Sequence, residues 1–346
     1  MLGLGGGLPA DELFPRAAIT EAFLRVIRAP SCPALQYGWP EGDAVLRSWI
    51  AARLRGRGVA IQADDVIVTN GAQQALAVAA DLLLGDGDRV GVDPETYPAA
   101  LDLFRSRGAQ PVAGFEGIAC VYAMAGVANP RGNGLPASRR AQLLGSSFPV
   151  LVDEAYAELR FDGVVDPPLL GDARDRVWHV GTFSKTLCPG FRVGWLVPPP
   201  RDLKRALRMK HDRDLQAGSL AQQVLRAFLT DDDFDARLSR SRTFYEARAE
   251  RLSRALRRRF PSWRFRDPIG GFSLFVETDL EGDDARLLAL ATRHGVSFDP
   301  GRLFRPAGRS SPIALRLCYS AVHPSLLDEA VKRLQVAARA FERGGA

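Results

Sequence analysis

The sequence is poor in the residues that usually carry metals, disulfides and acid–base chemistry. It holds four cysteines and four histidines in 346 residues. Cys32, Cys120, Cys188 and Cys318 lie far apart, and no pair has the spacing of metal ligands or of a redox dithiol. His179, His211, His294 and His323 do not cluster either. A structural metal is therefore not expected, and the separated thiols fit a reduced, cytoplasmic compartment. No apolar run approaches the roughly 18–20 residues that a transmembrane helix needs. The opening "MLGLGGGLPADELFP" has no basic stretch followed by an apolar one, so it does not read as a signal peptide. Internal repeats and low-complexity segments are absent. Lysine is scarce as well: only four of the 46 basic residues are lysine.

What is present is ordinary for a globular chain, with 46% hydrophobic and 25% charged residues. The length suits about two domains, or a large one with a smaller companion. The net charge of +6 does not form a nucleic-acid footprint, because arginines are spread through the chain with acids between them. The densest run, "RALRRRFPSWRFR", reads as a solvated helix face.

From about residue 64 short apolar runs alternate with helical text. "VIVTN", "RVGVD", "ACVYAMAG", "PVLVDEAY", "VWHVGTF" and "RVGWLV" read as strands, with amphipathic segments between the first four. That pattern predicts an α/β unit with a mostly parallel sheet covered by helices. From about residue 218 the period becomes helical over long stretches. Short strands ("WRFRD", "FSLFVET", "ALRLCYS") and helices then predict a small α+β unit. The expected division is an N-terminal segment at 1–29 packing on the small domain, a large domain at 30–231 and a small domain at 232–346.

The scarce lysine sits in a telling place. In "GTFSKTLCPGFRVGW", Lys185 lies in a hydroxyl- and glycine-rich turn after an apolar strand. A lysine amine condenses with an aldehyde when it is partly deprotonated. Thr182 and Ser184 flank it, and Arg192 follows as a charged fork suited to a phosphate. Together they imply a phosphorylated aldehyde. "TNGAQQAL" joins strand to helix through Gly71, leaving the N–H groups of Ala72 and Gln73 free for an anion, although such junctions are common. "VLVDEAYAEL" delivers Asp153 to the carboxyl edge of the sheet, either as a helix cap or as the partner of a protonated ring nitrogen. Tyr156 follows three residues later, as a donor to a phenolate oxygen. "VANPRGNGLP" is a turn carrying Asn129, and "PETYPAAL" places Tyr97 after a strand, as a core aromatic or a ring-stacking one. In "IALRLCYS", Arg316 lies between leucines, where an unpaired guanidinium is costly, so it must meet an anion: a structural partner or a substrate carboxylate.

Taken in order and spacing, these motifs resemble the class I/II pyridoxal-phosphate-dependent aminotransferases of the aspartate aminotransferase superfamily. The nearest resemblance is to the 2-aminoadipate aminotransferase branch and to the aminotransferase-like domain of MocR-type regulators. It runs from "GGGLPADELFP" to the last helix. The resemblance implies the PLP-dependent transferase fold, with a seven-stranded sheet in the large domain, and pyridoxal 5′-phosphate as cofactor. It implies that Lys185 holds the cofactor aldehyde, Asp153 the ring nitrogen, and Tyr156 and Asn129 the ring oxygen. Tyr97 would stack on the ring, while Ala72, Gln73, Thr182, Ser184 and Arg192 would bind the phosphate. Tyr37, in "LQYGWPEG", would reach the phosphate of a neighbouring subunit, implying a homodimer with shared active sites. Arg316 would clamp the substrate α-carboxylate, Asn129 would also face substrate, and Gly6 would belong to the loop that closes over it.

Three departures from the family pattern stand out. The stretch before the glycine loop is nearly absent, the segment between Pro111 and Cys120 is short, and no helix-turn-helix text precedes the fold. The last disfavours a regulator. The expected activity is transfer of an amino group between an L-amino acid and a 2-oxo acid. A lyase, decarboxylase or amino-acid oxidase on the same scaffold, or a non-catalytic effector-binding protein, are the competing readings, since a fold does not dictate a reaction. Phe14, Tyr37, Trp39, Arg16 and Arg305 are candidates for favouring an acidic or aromatic side chain.

Overall fold

The computed structural model describes residues 1–306 and 312–344. The chain starts with β1 (Leu2–Leu4), α1 (Arg16–Arg28) and α2 (Ala44–Arg55). Strands and helices then alternate through β2 (Ile67–Thr69), α3 (Ala72–Leu83), β3 (Arg89–Val92), α4 (Pro98–Arg105), β4 (Gln110–Ala113) and β5 (Cys120–Met124). The run continues with α5 (Ala137–Leu144), β6 (Val150–Asp153), α6 (Leu169–Asp172), β7 (Val177–Thr182) and β8 (Gly194–Val197). Helices follow as α7 (Leu203–Asp214), α8 (Ser219–Asp231) and α9 (Phe234–Arg259). The last part is β9 (Ser273–Glu277), α10 (Asp284–Arg293), β10 (Val296–Pro300), β11 (Ala314–Cys318) and α11 (Pro324–Arg343). No helix among the described residues is long and apolar enough to cross a membrane.

The larger sheet has seven strands in the order β2-β8-β7-β6-β5-β3-β4. It is parallel from β4 to β7, and β8 runs antiparallel to both its neighbours. β5, β6 and β7 are buried along their whole length, which is why they read as continuous apolar runs. Their register sets Met124 beside Asp153, and Asp153 beside Val180, so the carboxyl ends of these strands form one edge. Ligands of open α/β sheets bind at that edge.

The smaller sheet has the order β1-β10-β11-β9, with β1 parallel to β10 and the other pairs antiparallel. On α9, Leu238, Tyr245, Ala249, Leu252 and Leu256 form the buried stripe that the helical spacing predicts. Asp233 caps this helix by accepting a hydrogen bond from Ala236 N at 2.9 Å. The N-terminal segment touches both regions. β1 extends the smaller sheet, while Arg25 on α1 donates to Ala227 O in α8 at 3.0 Å.

Several elements differ from the sequence reading, which has no strand at β1, β4 or β10. "WRFRD" is not a strand: only Arg264 pairs, in an isolated bridge with Glu277. Prolines at 261 and 268 bracket it, and proline cannot continue a ladder. Conversely, "QPVA" forms β4, an edge strand parallel to β3 in the segment that reads as shortened.

Candidate active site

A cavity of about 550 Å³ opens at the carboxyl edge of the larger sheet. Gly6, Ala72, Gln73, Tyr97, Asn129, Asp153, Tyr156, Thr182, Ser184, Lys185, Arg192 and Arg316 all line it. Residues scattered over more than 300 positions thus converge on one space. Tyr37 stands apart and is 78% exposed. Phe14, Arg16, Trp39 and Arg305 do not line the cavity either. Trp39 points to solvent, and Arg305 is held by Glu95 at 3.2 Å.

Lys185 follows the end of β7. Its Nζ donates to Gly7 O at 3.2 Å and stands 5.5 Å from the centroid of the Tyr156 ring. Burial pushes the amine below its ordinary range; Tyr97 works against this and the Arg316 charge adds to it. A lysine so placed releases its proton more readily than a solvated one.

The turn around Lys185 meets the start of α3. Gly71 caps that helix with φ +79, a backbone that suits glycine. A side chain there would also collide with Arg192, whose Nη2 lies 2.6 Å from the position of a Cβ. Arg192 itself adopts a left-handed backbone (φ 52, ψ 41), an uncommon state for a non-glycine residue and typical of functional sites. Its Nη1 donates to Ser184 Oγ at 3.4 Å, and the Thr182 and Ser184 hydroxyls are 3.0 Å apart. Free N–H groups of a helix start, two hydroxyls and a guanidinium form an anion cradle.

Asp153 ends β6 and is only 3% exposed. Its Oδ1 accepts from Ala155 N at 2.9 Å and its Oδ2 from the Tyr122 hydroxyl at 3.0 Å. Burial pushes this carboxyl above the usual range, although both donors and the Lys185 charge favour its ionised form. A cation in the cavity would complete its environment. Tyr122, itself buried on β5, escapes the sequence reading because it looks like one more apolar-strand aromatic.

Arg316 is 8% exposed and does meet an anion. Asp299 Oδ2 accepts from its Nε at 2.9 Å and from its Nη2 at 2.7 Å, while Nη1 donates to Asn129 Oδ1 at 2.9 Å. Asp299 also lines the cavity, and sequence reasoning missed it. The signal was present in "VSFDPG", an alternating run before a turn. Gly7, Leu8 and Phe304 are further lining residues that the sequence reading did not single out.

The model of the family "Aminotransferase class I and II" matches residues 1–334. The chain belongs to the class I and II aminotransferases. A 2-aminoadipate transaminase of Thermus thermophilus is 31% identical over 360 residues, spanning 96% of this chain and 89% of that relative. Aromatic-amino-acid aminotransferase 1 of Thermococcus litoralis is 31% identical over 365 residues, spanning 96% of this chain and 87% of its own. The solved structure of the Thermus thermophilus α-aminoadipate aminotransferase, complexed with N-(5′-phosphopyridoxyl)-L-leucine, matches with a TM-score of 0.92 at 30% identity. That match covers 99% of this chain and 93% of the other. The expected fold is the observed one. This aminotransferase is therefore an enzyme that moves amino groups between amino acids and 2-oxo acids, and its cofactor is pyridoxal 5′-phosphate. The residues present fit that cofactor: an anion cradle, a buried carboxylate and a lysine amine of lowered basicity share one cavity.

Proposed function

We propose that the cavity is the transamination site, with Lys185 as the residue that holds the cofactor aldehyde. The observation that carries this reading is the convergence of Lys185, Asp153, Arg192 and Arg316 on one space. The bound cofactor supplies an electron sink that loosens the α-hydrogen of the donor. Every other part of the task falls to backbone and side-chain groups of this protein. The N–H groups of Ala72 and Gln73, with Thr182, Ser184 and Arg192, bind the phosphate. Asp153 keeps a proton on the ring nitrogen, and Tyr122 and Ala155 hold that carboxylate in place. Tyr156 and Asn129 donate to the ring oxygen, and Tyr97 covers one ring face. Arg316 takes the donor's α-carboxylate at its Nη1/Nη2 end, and Gly6 and Gly7 close the cavity over it. Lys185 Nζ would take the proton from the donor's α-carbon and hold it for return on the far side of the amino nitrogen. Its lowered basicity supports that role.

We also read the enzyme as a cytoplasmic homodimer. Leu35, Tyr37 and Trp39 are 70%, 78% and 75% exposed on one short segment, an apolar patch that a second copy would cover. Tyr37 would then reach the neighbouring phosphate site. The cofactor unit is taken as residues 30–231 and the smaller unit as 232–346, with 1–29 joining the latter through β1 while its helix α1 lies against α8 of the former. The boundary falls between α8, which ends at Asp231, and α9, which starts at Phe234.

The test is a half-reaction. An amino acid added to the enzyme without acceptor converts the cofactor absorbance to that of its amine form, with one 2-oxo acid released per site. A lyase or decarboxylase releases a different product, and a binding protein releases none; either result overturns the reading.

A further inference from the structure

Arg316 has its counter-charge before any substrate arrives. Asp299 on β10 and Arg316 on β11 are direct cross-strand partners, so the register of the smaller sheet builds the pair in. The Oδ2 atom of Asp299 takes the Nε/Nη2 edge of the guanidinium and also the Gly6 N–H, at 3.0 Å. Asn129 takes one Nη1 proton. The Nη1/Nη2 end remains, with Gly7 beside it: a Gly7 Cβ would stand 3.5 and 3.6 Å from the two nitrogens. A substrate carboxylate can still dock there. It meets a neutral pair, however, and a second carboxylate on the far edge of the same guanidinium. A donor without a carboxylate leaves no buried charge unpaired, because Asp299 already satisfies Arg316.

We infer that this aminotransferase accepts primary amines lacking an α-carboxylate as amino donors beside α-amino acids, and that Asp299 sets this breadth. The inference rests on the reading of Arg316 as the carboxylate clamp. The reaction balances without an outside oxidant: R–CH₂–NH₂ and a 2-oxo acid give R–CHO and the amino acid. The donor carbon loses two electrons, the acceptor carbonyl carbon gains them, and amino group and oxygen change places. Asp299 acts as a positioning and specificity residue through Arg316 and the Gly6 loop.

The test compares matched donors that differ only in the carboxylate, such as L-leucine with 3-methylbutylamine and L-phenylalanine with 2-phenylethylamine, extended across the proteinogenic amino acids and their decarboxylated counterparts. Half-reaction rate constants are read from the cofactor absorbance. In the wild type at least one matched pair reacts within about ten-fold of each other. In Asp299→Asn, which keeps the shape but removes the charge, the amino-acid rate rises relative to the amine rate by roughly ten-fold or more. A merely structural role would move both rates alike. Asp299→Ser gives the same shift and serves as the second variant if the amide folds poorly. A wild type that reacts with no amine, or variants with an unchanged ratio, overturns the inference alone. If Arg316→Ala also leaves the ratio unchanged, the clamp reading itself falls. If no donor of either kind alters the cofactor spectrum, the transamination site is wrong and the inference falls with it.

Discussion

Gly194→Ala tests the anion cradle from behind. Gly194 lies on β8 between Thr69 of β2 and Thr182 of β7. A methyl group there would stand 2.7 Å from Ala72 N, 2.7 Å from the Gly71 carbonyl carbon and 2.8 Å from the Gly181 oxygen. All three neighbours are backbone atoms, so no side chain can swing away. To restore an ordinary contact of about 3.5 Å, the first turn of α3 must retreat by up to about 0.8 Å. That turn carries the N–H groups assigned to the phosphate. Overpacking of this kind costs about 1–3 kcal/mol of stability. A lost hydrogen bond to a charged group is worth about 1.5–3 kcal/mol, which is roughly ten- to hundred-fold in cofactor affinity. The assay is a pyridoxal-phosphate titration followed by absorbance, with thermal unfolding in parallel. Gly190→Ala is the control, because a Cβ there meets nothing within 4 Å. It should stay within about 0.5 kcal/mol of wild type and bind cofactor normally. A Gly194→Ala protein with wild-type cofactor affinity, or a Gly190→Ala protein with the same loss, would refute the placement of the phosphate.

Asp153→Asn should keep the cofactor but lose about two orders of magnitude or more in turnover, because an amide cannot hold a proton on the ring nitrogen; steady-state rates near wild type would make Asp153 a structural cap only. His179, at 1% exposure and with neither ring nitrogen hydrogen-bonded, is held by burial at about 4 against an ordinary 6.5. The folded value is depressed, so no penalty exists above pH 6.5, and stability is lost as the pH falls from there toward about 4. Between pH 7 and 4.5 denaturant unfolding should therefore show about 2–3 kcal/mol less loss in His179→Leu than in wild type. Parallel losses in the two proteins would rule this out.

The parts of this molecule that a sequence shows are those where one physical demand dominates. β5, β6 and β7 are buried on both faces, so "CVYAM", "VLVD" and "VWHVGT" have to be apolar. Lys185, Asp153 and Arg192 are visible because a lone lysine and a strand-end carboxylate are unusual where they stand. β4 was hidden because it is a sheet edge: "QPVA" alternates little, and Pro111 is tolerated only at such an edge. β1 was hidden because three residues with a central glycine hold no pattern, and its place is fixed by β10, almost 300 positions away. Asp299 was missed for the same reason. Its meaning comes from the antiparallel register that sets it opposite Arg316, and a register between separate strands is a tertiary fact. Tyr122 reads as core until the sheet brings its hydroxyl to Asp153.

The central claim is that Lys185 is the residue that carries the cofactor, and borohydride reduction followed by peptide mapping tests it most directly. The yellow enzyme should lose its absorbance band on reduction, and one pyridoxyl group per chain should appear on the peptide containing Lys185. Lys210 offers the sharpest alternative, because it is fully buried, although Asp214 holds its amine at 3.0 Å. A pyridoxyl group found on Lys204, Lys210 or Lys332, with Lys185 unmodified, would contradict the account.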